Sequence, residues 1–260
     1  MSRNSWSLSG DHADLRRPIH PPHSLELDAL PQRVSIDLAR TALIVIDLQN
    51  DFCHVDGWLA RIGVDVSPAR AAVDTLRTAL PAVRGADIPV VWVNWGNRPD
   101  RANLPPGVLH VYDPAGTGVG IGSAATASST AVLEAGSWGA DVVDDLQIAP
   151  ADIRVDKYRM SGFVDTVLDS VLRNLRVDTL LFAGVNADQC VLSTLMDAAN
   201  IGYDVVLLTD AVATTSPEYC MEATTYNVRQ CFGFTATAAD LVRGLTSASS
   251  ALITNVRRVR

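Results

Sequence analysis

The chain is predicted to form an α/β fold, a doubly wound three-layer sandwich around a central, mostly parallel sheet. Three observations carry this. Strand-length apolar runs alternate with helix-period segments along most of the sequence. The clearest runs, Ala42-Leu43-Ile44-Val45-Ile46 and Thr179-Leu180-Leu181-Phe182-Ala183, are apolar throughout, as in strands covered on both faces. A length of 260 residues is enough to bury the sizeable core such a fold needs.

The elements follow in order. Ala42–Ile46 is the first strand and ends in Asp47. Pro68 to Arg84 is helical, with Val73, Leu76, Leu80 and Val83 spaced three or four apart, and Gly85 stops it. Ile88-Pro89-Val90-Val91-Trp92-Val93 is the second strand and delivers Asn94 and Trp95 to its far end. Gly96 to about Gly139 is irregular and rich in Gly, Pro, Ser and Ala, too long for an idle connection, which suits a binding loop or an oligomer contact. Ile153–Asp156 is a short strand ending at Lys157, and Val164 to Asn174 is helical. Thr179–Ala183 precedes a helix over Cys190–Asn200, stopped by Gly202. Asp204–Thr209 is a strand, Pro217 to about Gln230 a helix, and Thr235 falls on a last short strand. Thr237-Ala238-Ala239-Asp240 resembles a capping box at the start of a final helix. One domain spans residues 41–245, with an N-terminal extension (1–40) and a C-terminal tail (246–260).

Composition narrows the function. A formal charge of −8 argues against a nucleic-acid partner, and the basic Arg257, Arg258 and Arg260 read as a solvated terminus. No window has the length and apolarity of a membrane span, and the polar first 24 residues lack a signal-peptide core and are expected to wrap the domain or be disordered. The four cysteines, Cys53, Cys190, Cys220 and Cys231, have no C-x-x-C spacing, which suits a reducing, cytoplasmic location.

Ligands of doubly wound folds collect at the carboxyl ends of the strands. Three chemically competent residues fall there. Cys190 lies in Gly184-Val185-Asn186-Ala187-Asp188-Gln189-Cys190, between a buried strand and a helix, where unpaired N–H groups and the helix dipole favour thiolate. Taken alone, a free cysteine is commonly a small buried hydrophobe, so the placement carries the reading. Asp47 closes an apolar strand, where a carboxylate is costly without a partner or a task. Lys157 would be an ordinary surface lysine were its strand end not on the same sheet edge. Together the three suggest a nucleophilic hydrolase. Other constellations fit less well. His12, His20 and His23 lie in the polar tail, His110 in the long loop, and His54 beside Cys53 on an extended chain points away from it. No G-x-S-x-G elbow is present, and Gly116, Gly118, Gly120 and Gly122 follow no strand. No Asp-x-His or His-x-x-His element offers metal ligands, so neither metal nor cofactor is expected.

Three stretches in order, Ala42 to Phe52, Asp156-Lys157, and Gly184 to Val191, make the chain similar to the isochorismatase-like cysteine hydrolases over roughly residues 40–245. The resemblance implies a catalytic triad of Asp47, Lys157 and Cys190 and a cis peptide at Val185–Asn186. Gly57-Trp58-Leu59, Gly136-Ser137-Trp138, Tyr158 to Phe163 and Leu168 to Arg173 resemble the ureidoacrylate and biuret amidohydrolases most. The chain differs from those at Asn186 and Gln189, where they more often carry small, Thr or Val residues; the difference bears on the substrate and not on the chemistry. The metal ligands of the nicotinamidase branch have no counterpart near Asn94 to Arg98. Because isochorismatases cleave an enol ether without the cysteine, Cys190 favours C–N hydrolysis.

The mechanism this implies uses Asp47 as proton acceptor for Cys190, Lys157 as stabiliser of the nearby charges, and the backbone N–H groups of Asn186 and Cys190 as the oxyanion hole. Residues expected to contact a small amide or ureido substrate are Asn94, Trp95, Gln49, Phe52, Trp138, Tyr158 and Phe163, with Asn94 first for a hydrogen bond to a substrate amide. A homo-oligomer is expected. The alternatives are a cyclic-amide or lactam hydrolase and a non-catalytic ligand binder of the same fold.

Overall fold

The computed structural model describes residues 4–17, 21–124 and 130–247. His20 and the basic residues Arg257, Arg258 and Arg260 lie outside them. A seven-stranded sheet forms the centre. Its strands are β1 (Ala29–Leu30), β2 (Thr41–Ile46), β3 (Val90–Trp95), β4 (Ile153–Lys157), β5 (Thr179–Gly184), β6 (Asp204–Val212) and β7 (Phe234–Ala236). They lie in the order β1-β7-β6-β5-β2-β3-β4 and are parallel except where β1 pairs antiparallel with β7. The predicted fold class is the observed one.

The central strands explain themselves. Every residue of β2, β3 and β5 is buried, so both faces must be apolar, and the continuous Val/Ile/Leu runs supply that. From β2 the chain steps outward to β3 and β4; from β5 it steps the other way to β6 and β7. Right-handed crossovers running in opposite directions put helices on both faces. The reversal falls between neighbours β2 and β5, and it opens a crevice at their carboxyl ends.

Four regular helices carry the crossovers: α1 (Ser67–Gly85), α2 (Leu168–Asn174), α3 (Leu192–Asn200) and α4 (Glu218–Asn227). The apolar stripe of α1 is buried at Val73, Leu76, Leu80 and Val83, the positions its spacing selects. A further helix covers 238–247. Its first turn is capped twice: Asp240 N–H donates to Thr237 Oγ1 at 2.9 Å, and the Asp210 carboxylate accepts from Ala238 N–H at 2.6 Å and Ala239 N–H at 3.2 Å. Asp210 lies within β6, which runs past the expected Thr209 to Val212 through a register shift.

Other boundaries also differ from expectation. The second helix starts at Leu168 and not at Val164, because Asp165 adopts a left-handed backbone (φ 58°) that interrupts a helix there. The segment before α3 is a π turn, Ala187–Val191, so Cys190 does not open an α-helix. Past the first 24 residues, the N-terminal extension packs on the domain. Ser24–Leu27 and Val34–Asp37 form an antiparallel hairpin whose Leu25, Leu27 and Ile36 are buried, and the chain between them supplies edge strand β1. Among the described residues, no helix is long and apolar enough to cross a membrane.

Candidate active site

The site is assembled where β2, β4 and β5 end. At the end of β2, Asp47 takes a left-handed backbone (φ 51°) and its carboxylate turns across the sheet edge. Its Oδ1 accepts the Trp95 N–H at 2.9 Å, which ties it to the end of β3. At the end of β4, Lys157 is in register with Trp95 and lies on the same face. Its Nζ sits 4.2 Å from the Trp95 ring centroid, a cation–π contact that guides the ammonium inward. Beyond β5, Gly184 (φ 118°) lies so close to β2 that a Cβ there would meet Ile46 O at 2.0 Å, so only glycine permits this approach. The chain then passes through a cis peptide at Val185–Asn186 into the π turn. In that turn Val191 N–H donates to Asn186 O at 3.2 Å, five residues back, and Cys190 is presented on the widened turn.

These three side chains meet. Lys157 Nζ is 2.8 Å from Asp47 Oδ2 and 3.3 Å from Cys190 Sγ, and it also donates to Arg159 O at 3.2 Å. Relative exposure is 1% for Asp47, 0% for Lys157 and 5% for Cys190, so the charges face little water. Asp47 Oδ2 has no aligned hydrogen bond among the described residues, which leaves a lone pair for a proton from elsewhere.

The electrostatics correct one expectation. Burial pushes the Cys190 thiol up to about 12, against the pull of Lys157 and with a further upward push from Asp47. Desolvation therefore outweighs the turn's dipole and favours the thiol over the thiolate. Burial also pushes Asp47 above the ordinary carboxylate range, with Lys157 opposing. Burial lowers Lys157, but its two anionic neighbours outweigh this and its affinity for the proton rises. Burial thus disfavours the thiolate and makes Asp47, beside the Lys157 ammonium, a stronger base than a solvated carboxylate.

A cavity of about 550 Å³ opens beside this group. Met160 lines it and covers the thiol, its Sδ 3.7 Å from Cys190 Sγ. Val64 and Val111 give it an apolar wall; Tyr112, Gln189, Thr215 and Ser216 give it a polar one. Of these, Tyr112 comes from the long loop and is held by an edge-on contact with Trp58, ring centroids 5.4 Å apart.

None of the seven residues expected to touch substrate lines this cavity. Asn94 alternates with Trp95 along β3 and lies in a second, smaller cavity that Trp92, Trp95, Asp141, Arg154 and Asp156 also line; among the described residues its Oδ1 is buried without a hydrogen-bond partner. Trp95 sits beneath Lys157 and donates through Nε1 to Asn97 Oδ1 at 2.6 Å. Gln49 is buried, with its amide clamped on Trp95 N–H, Trp95 O and Ala140 O. Phe52 packs on Trp58, and Trp138 is half exposed against His54. The Tyr158 hydroxyl donates to Asp165 O, and Phe163 packs on Tyr203. The lining residues that sequence reasoning missed gave little signal, apart from Gln189 and Met160 inside the quoted motifs. Among the described residues no group of three or more His, Cys, Asp or Glu side chains is placed to hold a metal ion.

With the fold and this geometry in hand, comparison with known proteins defines the class. The isochorismatase domain matches residues 41–240, and the chain belongs to the isochorismatase family. It is a hydrolase. Ureidoacrylate amidohydrolase RutB of Rhizobium rhizogenes is 32% identical over 250 residues, covering 91% of this chain and 96% of that protein. RutB of Azorhizobium caulinodans is 34% identical over 230 residues, covering 84% and 95%. A crystal structure of a cysteine hydrolase from Pseudomonas syringae pv. phaseolicola superposes with a TM-score of 0.68 at 26% identity, covering 82% of this chain and 95% of the other.

Proposed function

We propose that the protein is a cysteine-dependent amidohydrolase that cleaves a C–N bond of a small amide or ureido compound through a covalent thioester. The observation that carries this is one ammonium, Lys157 Nζ, in contact with both a buried carboxylate and a buried thiol, beside a cavity of substrate size. The similarity to proteins named ureidoacrylate amidohydrolase supports the bond type.

In this reading Asp47 Oδ2 accepts the Cys190 proton as Sγ attacks the substrate carbonyl carbon. Lys157 stabilises the forming thiolate, which the raised thiol pKa makes necessary. The carbonyl oxygen becomes an oxyanion held by the backbone N–H groups of Asn186 and Cys190, donors of a kind worth about 3 kcal/mol each. Asp47 returns the proton to the leaving nitrogen, the C–N bond breaks, and an acyl or carbamoyl thioester remains. Water then attacks it with Asp47 as base, the C–S bond breaks, and the thiol is restored.

The test is ammonia or amine release from a panel of ureido acids, linear amides and lactams. Turnover of a linear member that is lost in Cys190→Ala, with the fold retained, is the expected result. Turnover by Cys190→Ala would remove the nucleophile assignment, and exclusive turnover of lactams would redirect the substrate class.

A further inference from the structure

Cys190 is flanked by two carboxamides, Asn186 and Gln189, of which Gln189 lines the cavity and Asn186 touches Gln189. Asn186 Nδ2 is 3.5 Å from both Tyr112 Oη and Gln189 Oε1. Gln189 Nε2 is 3.5 Å from Tyr112 Oη and 3.2 Å from Ser216 Oγ. Asn186 Oδ1 accepts the Thr215 N–H at 3.2 Å.

Every one of these contacts is long. Well-made N–H···O bonds centre on about 2.9–3.0 Å, and charge-free contacts at the upper limit contribute little. Elsewhere in the same site the chain makes tight bonds: Gln49 Nε2 reaches Trp95 O at 2.7 Å and Ala140 O at 2.6 Å. Gln189, Tyr112, Thr215 and Ser216 of this loose set line the cavity. Two amide N–H groups converge on the Tyr112 oxygen, and its own O–H has no acceptor among the described residues. Asn186 is buried, so water does not readily make up its shortfall. Tyr112 itself holds a left-handed backbone (φ 60°), uncommon for a bulky residue, and the Trp58 contact keeps its ring over the opening.

We propose that Tyr112, Asn186, Gln189 and Ser216 form the subsite for the non-scissile polar end of the substrate, and that this end is an uncharged amide or ureido group. The inference rests on the amidohydrolase reading above and names the substrate class of the same site. The wall offers donors (Tyr112 O–H, the amide N–H groups) and acceptors (Gln189 Oε1, Ser216 Oγ) side by side. A primary amide or urea presents C=O and N–H in the same pairing and satisfies both. A carboxylate presents acceptors only: it would face Gln189 Oε1 without a donor between them, and would bring a second negative charge toward buried Asp47. The apolar wall of Val64, Val111 and Met160 takes the carbon skeleton.

The test uses a matched pair, N-carbamoylglycinamide and N-carbamoylglycine, which differ only in the distal amide or carboxylate. Binding is measured by calorimetry on Cys190→Ala, so that turnover is not needed. The neutral ligand is expected to bind about tenfold or more tightly than the acid, as for a site built to pair a specific polar group. Adding Gln189→Leu or Tyr112→Phe should reduce that preference to near unity. Gln189→Arg, which supplies a bidentate carboxylate partner, should reverse it. A merely structural role for Gln189 would not produce a reversal. Equal binding, preference for the acid, or no binding of either ligand to Cys190→Ala would overturn the proposal. In the same experiment, ligands that bind with the expected preference but are not hydrolysed by the unsubstituted protein would sink the amidohydrolase reading alone.

Discussion

Asp47 and Lys157 are a buried ion pair, and such pairs are asymmetric in their effects. Together they roughly balance the cost of leaving water; separately, either one is a stranded charge. Lys157→Met should therefore abolish activity and destabilise the fold by about 3–5 kcal/mol, while Asp47→Asn with Lys157→Met should recover part of that loss. Chemical denaturation of the four proteins in this cycle measures it; additive losses would show that the pair is not coupled. The raised Asp47 pKa also fixes the sign of a pH effect. The base must be deprotonated to accept the thiol proton, and its deprotonated form is gained only above a pKa higher than an ordinary carboxylate's, about 3.9. The acid limb of kcat/KM should therefore lie above that value; a limb at or below it would contradict Asp47 as the base. At this scale the meeting of these three side chains was legible in the sequence, because Asp47 closes an apolar strand, Lys157 ends a second strand and Cys190 follows a third, all at one sheet edge. The thiol's ionisation was not legible. It depends on burial from all sides, which no local motif encodes. The seven residues expected to touch substrate lie off this cavity for a related reason: proximity in sequence to Asp47 or Lys157 does not say which face a side chain takes, and Asn94 and Trp95 alternate along β3.

At the level of elements, the β2–β5 contact decides whether the site exists. Gly184 lets the two strands approach until Val185 N–H reaches Ile46 O at 3.0 Å, so the carboxylate and the thiol emerge from neighbouring strands. Gly184→Ala would put a methyl against Ile46 O and force a left-handed alanine at φ 118°. A loss of more than about 2 kcal/mol is expected, read as a lowered melting temperature. An unchanged melting temperature would show that the strand ends have slack. The strands themselves were readable because full burial demands unbroken apolar runs. The π turn was not, since its five-residue closure is set by how the chain leaves the sheet. Tyr112 was hidden for a different reason. It reaches the cavity from an irregular loop whose path is determined by tertiary anchors such as Asp51, whose carboxylate accepts the N–H groups of Trp58 at 3.1 Å and Leu133 at 2.8 Å.

For the molecule as a whole, the N-terminal hairpin belongs to the core and not to an appendage. Leu25, Leu27, Ile36 and Leu38 are buried, and β1 covers the edge of β7 that would otherwise stand open to other chains. Removal of residues 1–22 should leave the melting temperature nearly unchanged, whereas removal of 1–37 should lower it markedly and promote aggregation. Equal tolerance of both truncations, by thermal melt and light scattering, would return the hairpin to the status of an extension. The doubly wound frame then brings together residues 33 to 143 positions apart in sequence around one sulfur. The most direct measurement of that account is mass spectrometry of the protein quenched in acid during turnover of a slow amide or ureido substrate. It should find the acyl or carbamoyl mass on the peptide containing Cys190 and none on Cys190→Ala. An adduct on Cys53, Cys220 or Cys231, or continued turnover by Cys190→Ala, would contradict it.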